Sequence, residues 1–144
     1  MLRPERIVVL TGAGISAESG LATFRGDDGL WEGHRIEEVA TPAAWWRDPE
    51  TVWRFYTLRR RALLDVEPND AHRALTRLER EGPEMLLITQ NVDDLHQRAG
   101  SGSLLPMHGQ LRMLRCEQSG RRQERMSEAD LDARVFAECT CCST

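Results

Sequence analysis

The run Arg6-Ile7-Val8-Val9-Leu10-Thr11, followed directly by Gly12-Ala13-Gly14, constrains this chain more than any other feature. It is short, β-branched and continuously apolar, which reads as a strand. Continuous rather than alternating apolarity predicts a parallel sheet covered on both faces. Glycines at the strand's end let backbone N–H groups approach a phosphate closely, and a following helix N-terminus adds positive potential. No Gly-Lys-Ser/Thr follows, so this is not a Walker A loop. The place of the third glycine in the usual dinucleotide fingerprint is taken by Ala17, an allowed variant. On these residues alone, a tight strand-to-helix turn also explains the loop.

The rest of the chain reads as alternating elements. Ser16 to Gly20 forms a short helical turn closed by glycine. Thr23 to Gly33 is a polar, glycine-rich loop carrying Phe24 and Trp31. Arg35 to Ala40 predicts a brief helix, and Asp48-Pro49 starts a longer one. In the latter, Val52, Phe55, Tyr56, Arg59 and Leu63 recur at helical spacing. Ala71, Ala74, Leu75 and Leu78 mark another amphipathic helix, ended at Gly82-Pro83. Glu84 to Thr89 is a second buried strand, and a short helix spans Asp94 to Arg98. Leu104 to Gly109 reads as a connection, Leu111 to Cys116 as an edge strand, and Gln118 to Ala129 as a polar excursion. Strand, glycine loop, helices and strand in this order favour an α/β fold with a parallel sheet.

Composition narrows the class. At 144 residues, 40% hydrophobic and 29% charged, the chain suits one ordinary domain with a real core rather than a disordered segment. A net charge of -4 carries no global signal for nucleic acid. No apolar run approaches the roughly 18–20 residues needed to span a bilayer, and none near the start suits a signal peptide. The expectation is a cytoplasmic chain with neither nucleic-acid nor membrane partners. All four cysteines, Cys116, Cys139, Cys141 and Cys142, lie in the last 29 residues. Such clustering suits a metal module better than a disulfide framework, although reduced thiols in a tail would look the same.

Several polar residues stand where α/β sheets bind ligands, at the carboxyl ends of strands. Gln90, Asn91 and Asp93 leave the second strand, although Asn91 could serve a turn and Asp93 a helix cap. His96 reads as structural. His108, between Pro106 and Gly109, is suited to act as a base near neutral pH. Neither a serine nor a cysteine stands out as its nucleophilic partner, so a serine-hydrolase triad is not supported.

Taken together, Gly12-Ala13-Gly14-Ile15-Ser16, Gly20-Leu21-Ala22-Thr23-Phe24-Arg25-Gly26, Thr89-Gln90-Asn91-Val92-Asp93-Asp94-Leu95-His96 and His108-Gly109 before a cysteine resemble the sirtuins. The resemblance runs from Ile7 to about Cys142 and is nearest to the bacterial CobB-like branch. It implies a Rossmann-like NAD-binding domain over residues 1–110, with an incomplete sheet, and the start of a small zinc-type module over 111–144. It also implies NAD-dependent removal of acyl groups, acetyl and succinyl or malonyl, from lysines of proteins or peptides. The products would be nicotinamide and O-acyl-ADP-ribose. In that chemistry the acyl oxygen attacks the ribose and nicotinamide leaves. His108, as general base, then draws a proton from a ribose hydroxyl. Gly12, Ala13, Gly14 and Ser16 would line the NAD site, and Phe24 and Arg25 would belong to its mobile loop. Gln90, Asn91 and Asp93 would contact the ribose and nicotinamide pocket, with Asn91 and Asp93 counted beside His108 in catalysis. Tyr56 and Arg59 resemble the pair that receives an acyl carboxylate in desuccinylating sirtuins. They share one helix face, and a guanidinium fork suits a carboxylate. The bland alternative has Tyr56 in the core and Arg59, Arg60 and Arg61 facing solvent.

The sequence departs from the family in two places. The zinc pattern needs two Cys-x-x-Cys pairs. Cys116 begins the first, but Ser119 stands where its partner belongs. Cys139 and Cys142 make the second, with Cys141 extra. The missing thiolate weighs slightly against tight zinc binding, unless Cys141 or water completes the set. The family's later Phe-Gly-Glu and Gly-Thr-Ser segments are also absent. The motifs therefore suggest the front part of a longer enzyme, and the competing expectation is a non-catalytic remnant that binds NAD weakly or not at all. A zinc-ribbon binding module ranks last, because it leaves the glycine loop and Gln90 to His108 without purpose.

Overall fold

The structure, a computed structural model, describes residues 5–22, 33–132, 134, 136, 139, 141 and 142. The chain divides into two units: Met1–Thr23 with Val66–Gln110, and Phe24–Asp65 with Leu111–Thr144. The sequence expectation placed its one boundary after residue 110. The spatial grouping is a different division, since it sets 24–65 with the cysteine-bearing segment.

The first unit is built on a three-stranded parallel sheet in the order β1-β2-β3. Its strands are β1 (Arg6–Thr11), β2 (Glu84–Thr89) and β3 (Leu104–Pro106). Register runs from Arg6 opposite Glu84 to Thr11 opposite Thr89, and Leu87, Ile88 and Thr89 face Leu104, Leu105 and Pro106. Helix α1 (Gly14–Ala17) follows β1, α5 (Asp70–Glu81) precedes β2, and α6 (Leu95–Ala99) joins β2 to β3. Parallel strands need such crossovers, because a tight turn cannot reverse the chain twice. β3 falls where the sequence predicted only a connection. Three residues ending in proline carry too little periodicity to signal a strand, and pairing with β2 makes it one.

The strands alternate in burial, against the expectation of two covered faces. Met85 and Leu87 are buried on one side. On the other, Val8 is 65% and Leu10 60% exposed, with Leu86 and Leu105 also open. Register makes these neighbours, since Val8 pairs with Leu86, Leu10 with Ile88, and Ile88 with Leu105. Among the described residues no helix covers that face, while α5 packs against β2 and α6. α5 also turns differently from its apolar pattern. His72 and Thr76 are buried, whereas Leu78 is substantially exposed.

In the second unit, α2 (Ile36–Val39), α3 (Pro42–Arg47) and α4 (Pro49–Ala62) pack in succession. Capping sets their starts: Thr41 Oγ1 accepts from the Ala44 N–H at 3.1 Å, and Asp48 Oδ1 from the Thr51 N–H at 3.1 Å. In both helices proline occupies the first turn, where its missing N–H costs nothing. Val39 and Phe55 form a buried cluster joined by Ala40 and Tyr56. An antiparallel pair, β4 (Met113–Arg115) and β5 (Arg122–Glu124), lies within the stretch read as edge strand and excursion.

Candidate functional site

Three adjacent parallel strands deliver the candidate segments to one sheet edge. β1 runs into Gly12-Ala13-Gly14, β2 into Gln90 to Asp93, and β3 into Met107 and His108. Backbone bonds tie the exits together: the Gln90 N–H donates to the Thr11 carbonyl at 3.0 Å, and the Met107 N–H to the Thr89 carbonyl at 2.9 Å. The carboxyl edge of a parallel sheet is the general ligand-binding edge of α/β folds.

Ser16 links two of these segments. It is 2% exposed, and its hydroxyl donates to Asp93 Oδ2 at 2.9 Å while accepting from Asn91 Nδ2 at 3.0 Å. Asp93 Oδ1 accepts from the Leu95 N–H at 3.1 Å, so one carboxylate both starts α6 and holds the glycine loop. The Asn91 N–H donates to Thr89 Oγ1 at 3.1 Å. The cap and turn roles weighed for Asp93 and Asn91 thus coexist with their attachment to Ser16. Gly12 and Gly14 keep ordinary backbone angles, and a Cβ built on either meets nothing within 4 Å. Their missing side chains leave open space beside the loop, which suits an approaching ligand. Gln90 and His108 are exposed at the same edge. Phe24 and Arg25 lie outside the described residues.

Beneath this edge lie groups that sequence reasoning missed. Asn69 Nδ2 donates to the Ile15 carbonyl at 2.7 Å and to Ser19 Oγ at 3.0 Å, fixing α1, while Asn69 Oδ1 caps α5. His96 Nε2 lies 3.0 Å from Thr11 Oγ1, and the His72 and His96 rings meet edge-on with centroids 4.8 Å apart. Burial, and then His72, push His96 down to about 4, and burial lowers His72 as well. The structural reading of His96 matches this packing. The one signal that could have found Asn69 is its residue type just before a helical period, which suits a cap; its second attachment leaves no mark in the sequence.

In the second unit, Tyr56 and Arg59 sit half-buried on α4. Tyr56 packs edge-on against Phe55, and the Arg59 guanidinium carbon lies 5.6 Å from the Phe55 ring centre. Burial raises the Tyr56 phenol above its ordinary range, with the Arg59 charge opposing. Arg60 departs from the solvent-facing alternative: it is 1% exposed, stacked 4.8 Å over Trp53. Its Nη2 donates to Thr57 Oγ1 at 2.7 Å and to the Asp130 carbonyl at 3.2 Å. Three consecutive arginines look alike in sequence, and only the helix phase buries the middle one.

The four cysteines converge. Their sulfurs all lie within 4.8 Å of one another, Cys141 included. Four thiolates around zinc at about 2.3 Å would stand about 3.8 Å apart, so donor type and spacing fit that ion. Hydrogen bonds from Ser119 hold the Cys116 thiol down to about 5, while Cys139 and Cys116 push Cys142 up to about 12. The sulfurs compete for negative charge, a competition that a divalent cation relieves. The spacing argument against tight zinc binding counted three thiols; the structure brings together four.

A short parallel sheet with a glycine loop and polar groups at its carboxyl edge, accompanied by a thiol cluster, defines a Rossmann-type α/β protein with a zinc-type module. The chain belongs to the Sir2 family, whose sequence profile matches residues 12–144. It is 55% identical over 139 residues to an NAD-dependent protein deacylase of Yersinia pseudotuberculosis, covering 94% of this chain and 49% of that protein. It is 53% identical over 147 residues to an NAD-dependent protein deacylase of Trypanosoma brucei brucei, covering 99% of this chain and 59% of that protein. A crystal structure of a Sir2 homologue in complex with NAD superposes with a TM-score of 0.84 at 47% identity, covering 96% of this chain and 53% of that one. The chain therefore spans about half the length of the curated relatives it matches.

Proposed function

We propose that this chain carries the cofactor-binding part of an NAD-dependent protein-lysine deacylase. The supporting observation is the Asn91–Ser16–Asp93 hydrogen-bonded link, which fixes the glycine loop against the exit of β2 in a Sir2-family chain. Bound NAD would supply an electrophilic ribose carbon and nicotinamide as the leaving group. Gly12, Ala13 and Gly14 would lie along its phosphates, where missing side chains leave room, and Phe24 and Arg25 belong to the same reading. Ser16, Asn91 and Asp93 would position the ribose and nicotinamide end, with Gln90 beside them. His108, exposed just past β3, would accept the hydroxyl proton on a ring nitrogen. Tyr56 and Arg59 would receive the carboxylate of succinyl- or malonyl-lysine, with acetyl-lysine needing neither. The partners are acylated proteins or peptides, the products nicotinamide and O-acyl-ADP-ribose, and the location the cytoplasm, where a thiol cluster stays reduced. The functional division at residue 110 is part of the same reading.

The uncovered sheet face, Val8, Leu10, Leu86 and Leu105, favours a second reading, in which this chain binds NAD weakly or not at all and is not catalytic. One assay separates the two. The chain is incubated with NAD and either acetylated or succinylated peptide, and nicotinamide is measured. Release that depends on His108 and on the peptide supports the deacylase; no release above a His108→Ala control supports the second reading. Arg59→Met, in the same assay, should depress desuccinylation at least about tenfold more than deacetylation, because a desolvated charge-assisted pair is worth about 1.5–3 kcal/mol. Equal loss of both would remove the acyl-carboxylate role.

A further inference from the structure

We propose that Cys141 takes the ligand place that Ser119 leaves in this module, so that zinc is held by Cys116, Cys139, Cys141 and Cys142, with Ser119 as an outer hydrogen-bond donor. Zinc capture by these residues does not depend on acyl transfer and is read without NAD or peptide.

The turn between β4 and β5 sets the geometry. The Cys116 N–H donates to the Arg121 carbonyl at 2.9 Å, and the Gly120 N–H returns to the Cys116 carbonyl at 2.9 Å. Gly120 has φ +70°, a conformation glycine adopts without a steric penalty. This tight turn aims the Ser119 N–H at Cys116 Sγ, 3.4 Å away, a donor suited to a thiolate. The Ser119 side chain points at the same cluster, but a hydroxyl stays protonated near neutral pH and is not among the usual zinc donors. Its Oγ lies 3.1 Å from Cys141 Sγ. A sulfur therefore stands beside the place where a sulfur at position 119 would have been, supplied from the other end of the module.

The second segment is shaped to deliver it. Adjacent side chains on an extended strand point to opposite sides. Here the backbone bends at Cys141 and Cys142, and both sulfurs reach one centre. Cys139 Sγ is 2.9 Å from Cys141 Sγ and 3.2 Å from Cys142 Sγ, and Cys142 Sγ is 3.4 Å from Cys116 Sγ. The Cys141 N–H also faces Cys139 Sγ at 3.4 Å. A Cys-x-Cys-Cys segment can thus contribute three ligands while Cys116 contributes one, in place of two from each side.

The test uses the full chain, purified without added zinc and then exchanged with cobalt. The parent should carry close to one zinc per chain. Its cobalt form should show the intense sulfur-to-metal absorption of a four-thiolate tetrahedron. In Cys141→Ser that absorption should fall by about a quarter, one thiolate in four, and zinc affinity by about 100-fold or more. Ser119→Ala should keep the full absorption and lose only about tenfold in affinity, as outer partners do. The double variant Ser119→Cys with Cys141→Ser should recover the parent's absorption, and it decides the matter if Cys141→Ser alone does not fold. The assignment is overturned if the parent holds little zinc, if Cys141→Ser keeps the parent's spectrum and affinity, or if the double variant fails to recover them.

Discussion

Ser16 sits between two groups that both need it. Asn91 donates to its oxygen and Asp93 accepts its proton, so the hydroxyl is polarised in one direction along the link. Removing it leaves a buried amide and a buried carboxylate each short of a partner. Ser16→Ala should therefore cost about 1–3 kcal/mol of stability and weaken NAD binding, read by urea unfolding and by calorimetric titration. A stability change under about 0.5 kcal/mol, the range of an ordinary surface substitution, would show that the link carries little. Asn91 and Asp93 could be singled out in the sequence from their place after a strand. Their shared partner could not, because residues 16 and 93 meet only through the parallel pairing of β1 with β2. The same holds for Cys141, which spacing alone made surplus.

At the scale of elements, α5 and α6 meet through two buried imidazoles, His72 and His96. His72 Nε2 and His96 Nδ1 are buried without hydrogen-bond partners among the described residues, so protonating either ring there is costly. Burial holds His96 near 4, against an ordinary 6.5. The unfolded chain consequently binds more protons between those values, and stability is fully present above about pH 6.5 and declines as pH falls toward about 4. Asp130, held down to about 2 chiefly by its bond from Arg125, loses its contribution only below its ordinary 3.8, so the two windows separate. Urea midpoints measured from pH 7.5 to 4.5 should fall, and the fall should be shallower in His96→Gln. Midpoints that do not change across that range would contradict the buried, neutral pair. The helix over 70–81 was legible from its period, but the apolar stripe misassigned its inward face. His72 turns inward to meet the His96 ring of α6 edge-on, and Thr76 turns inward with its hydroxyl on the His72 carbonyl and 3.2 Å from Ser101 Oγ.

For the molecule as a whole, the decisive feature is a parallel sheet with one apolar face open among the described residues. Val8, Leu10, Leu86 and Leu105 form a contiguous stripe across three strands, the kind of surface that drives association. Replacing Val8 and Leu86 together by threonine keeps strand propensity and removes apolar area. Sedimentation of the double variant should show less self-association at raised concentration, with stability changed by less than about 1 kcal/mol. A loss of several kcal/mol would mean that these side chains are buried in the folded chain. The Sir2-family relatives are about twice as long as the matched region, in keeping with a sheet that this stretch of sequence does not cover on both sides.

By itself the sequence determined the strands β1 and β2, the glycine loop, the capped start of α4 and the helical period of α5, and it singled out the candidate site residues. Each of these rests on local spacing or on one side chain's conformational preference, and such signals survive without a partner. Tertiary structure alone decided which of those residues meet. It made β3 a strand, turned His72 inward, buried Arg60 while leaving Arg59 half-buried and Arg61 exposed, joined Ser16 to Asp93, and brought a fourth sulfur to the other three. These outcomes depend on pairing and packing between segments far apart in the chain, where a one-residue change of register or helix phase reverses what is inside.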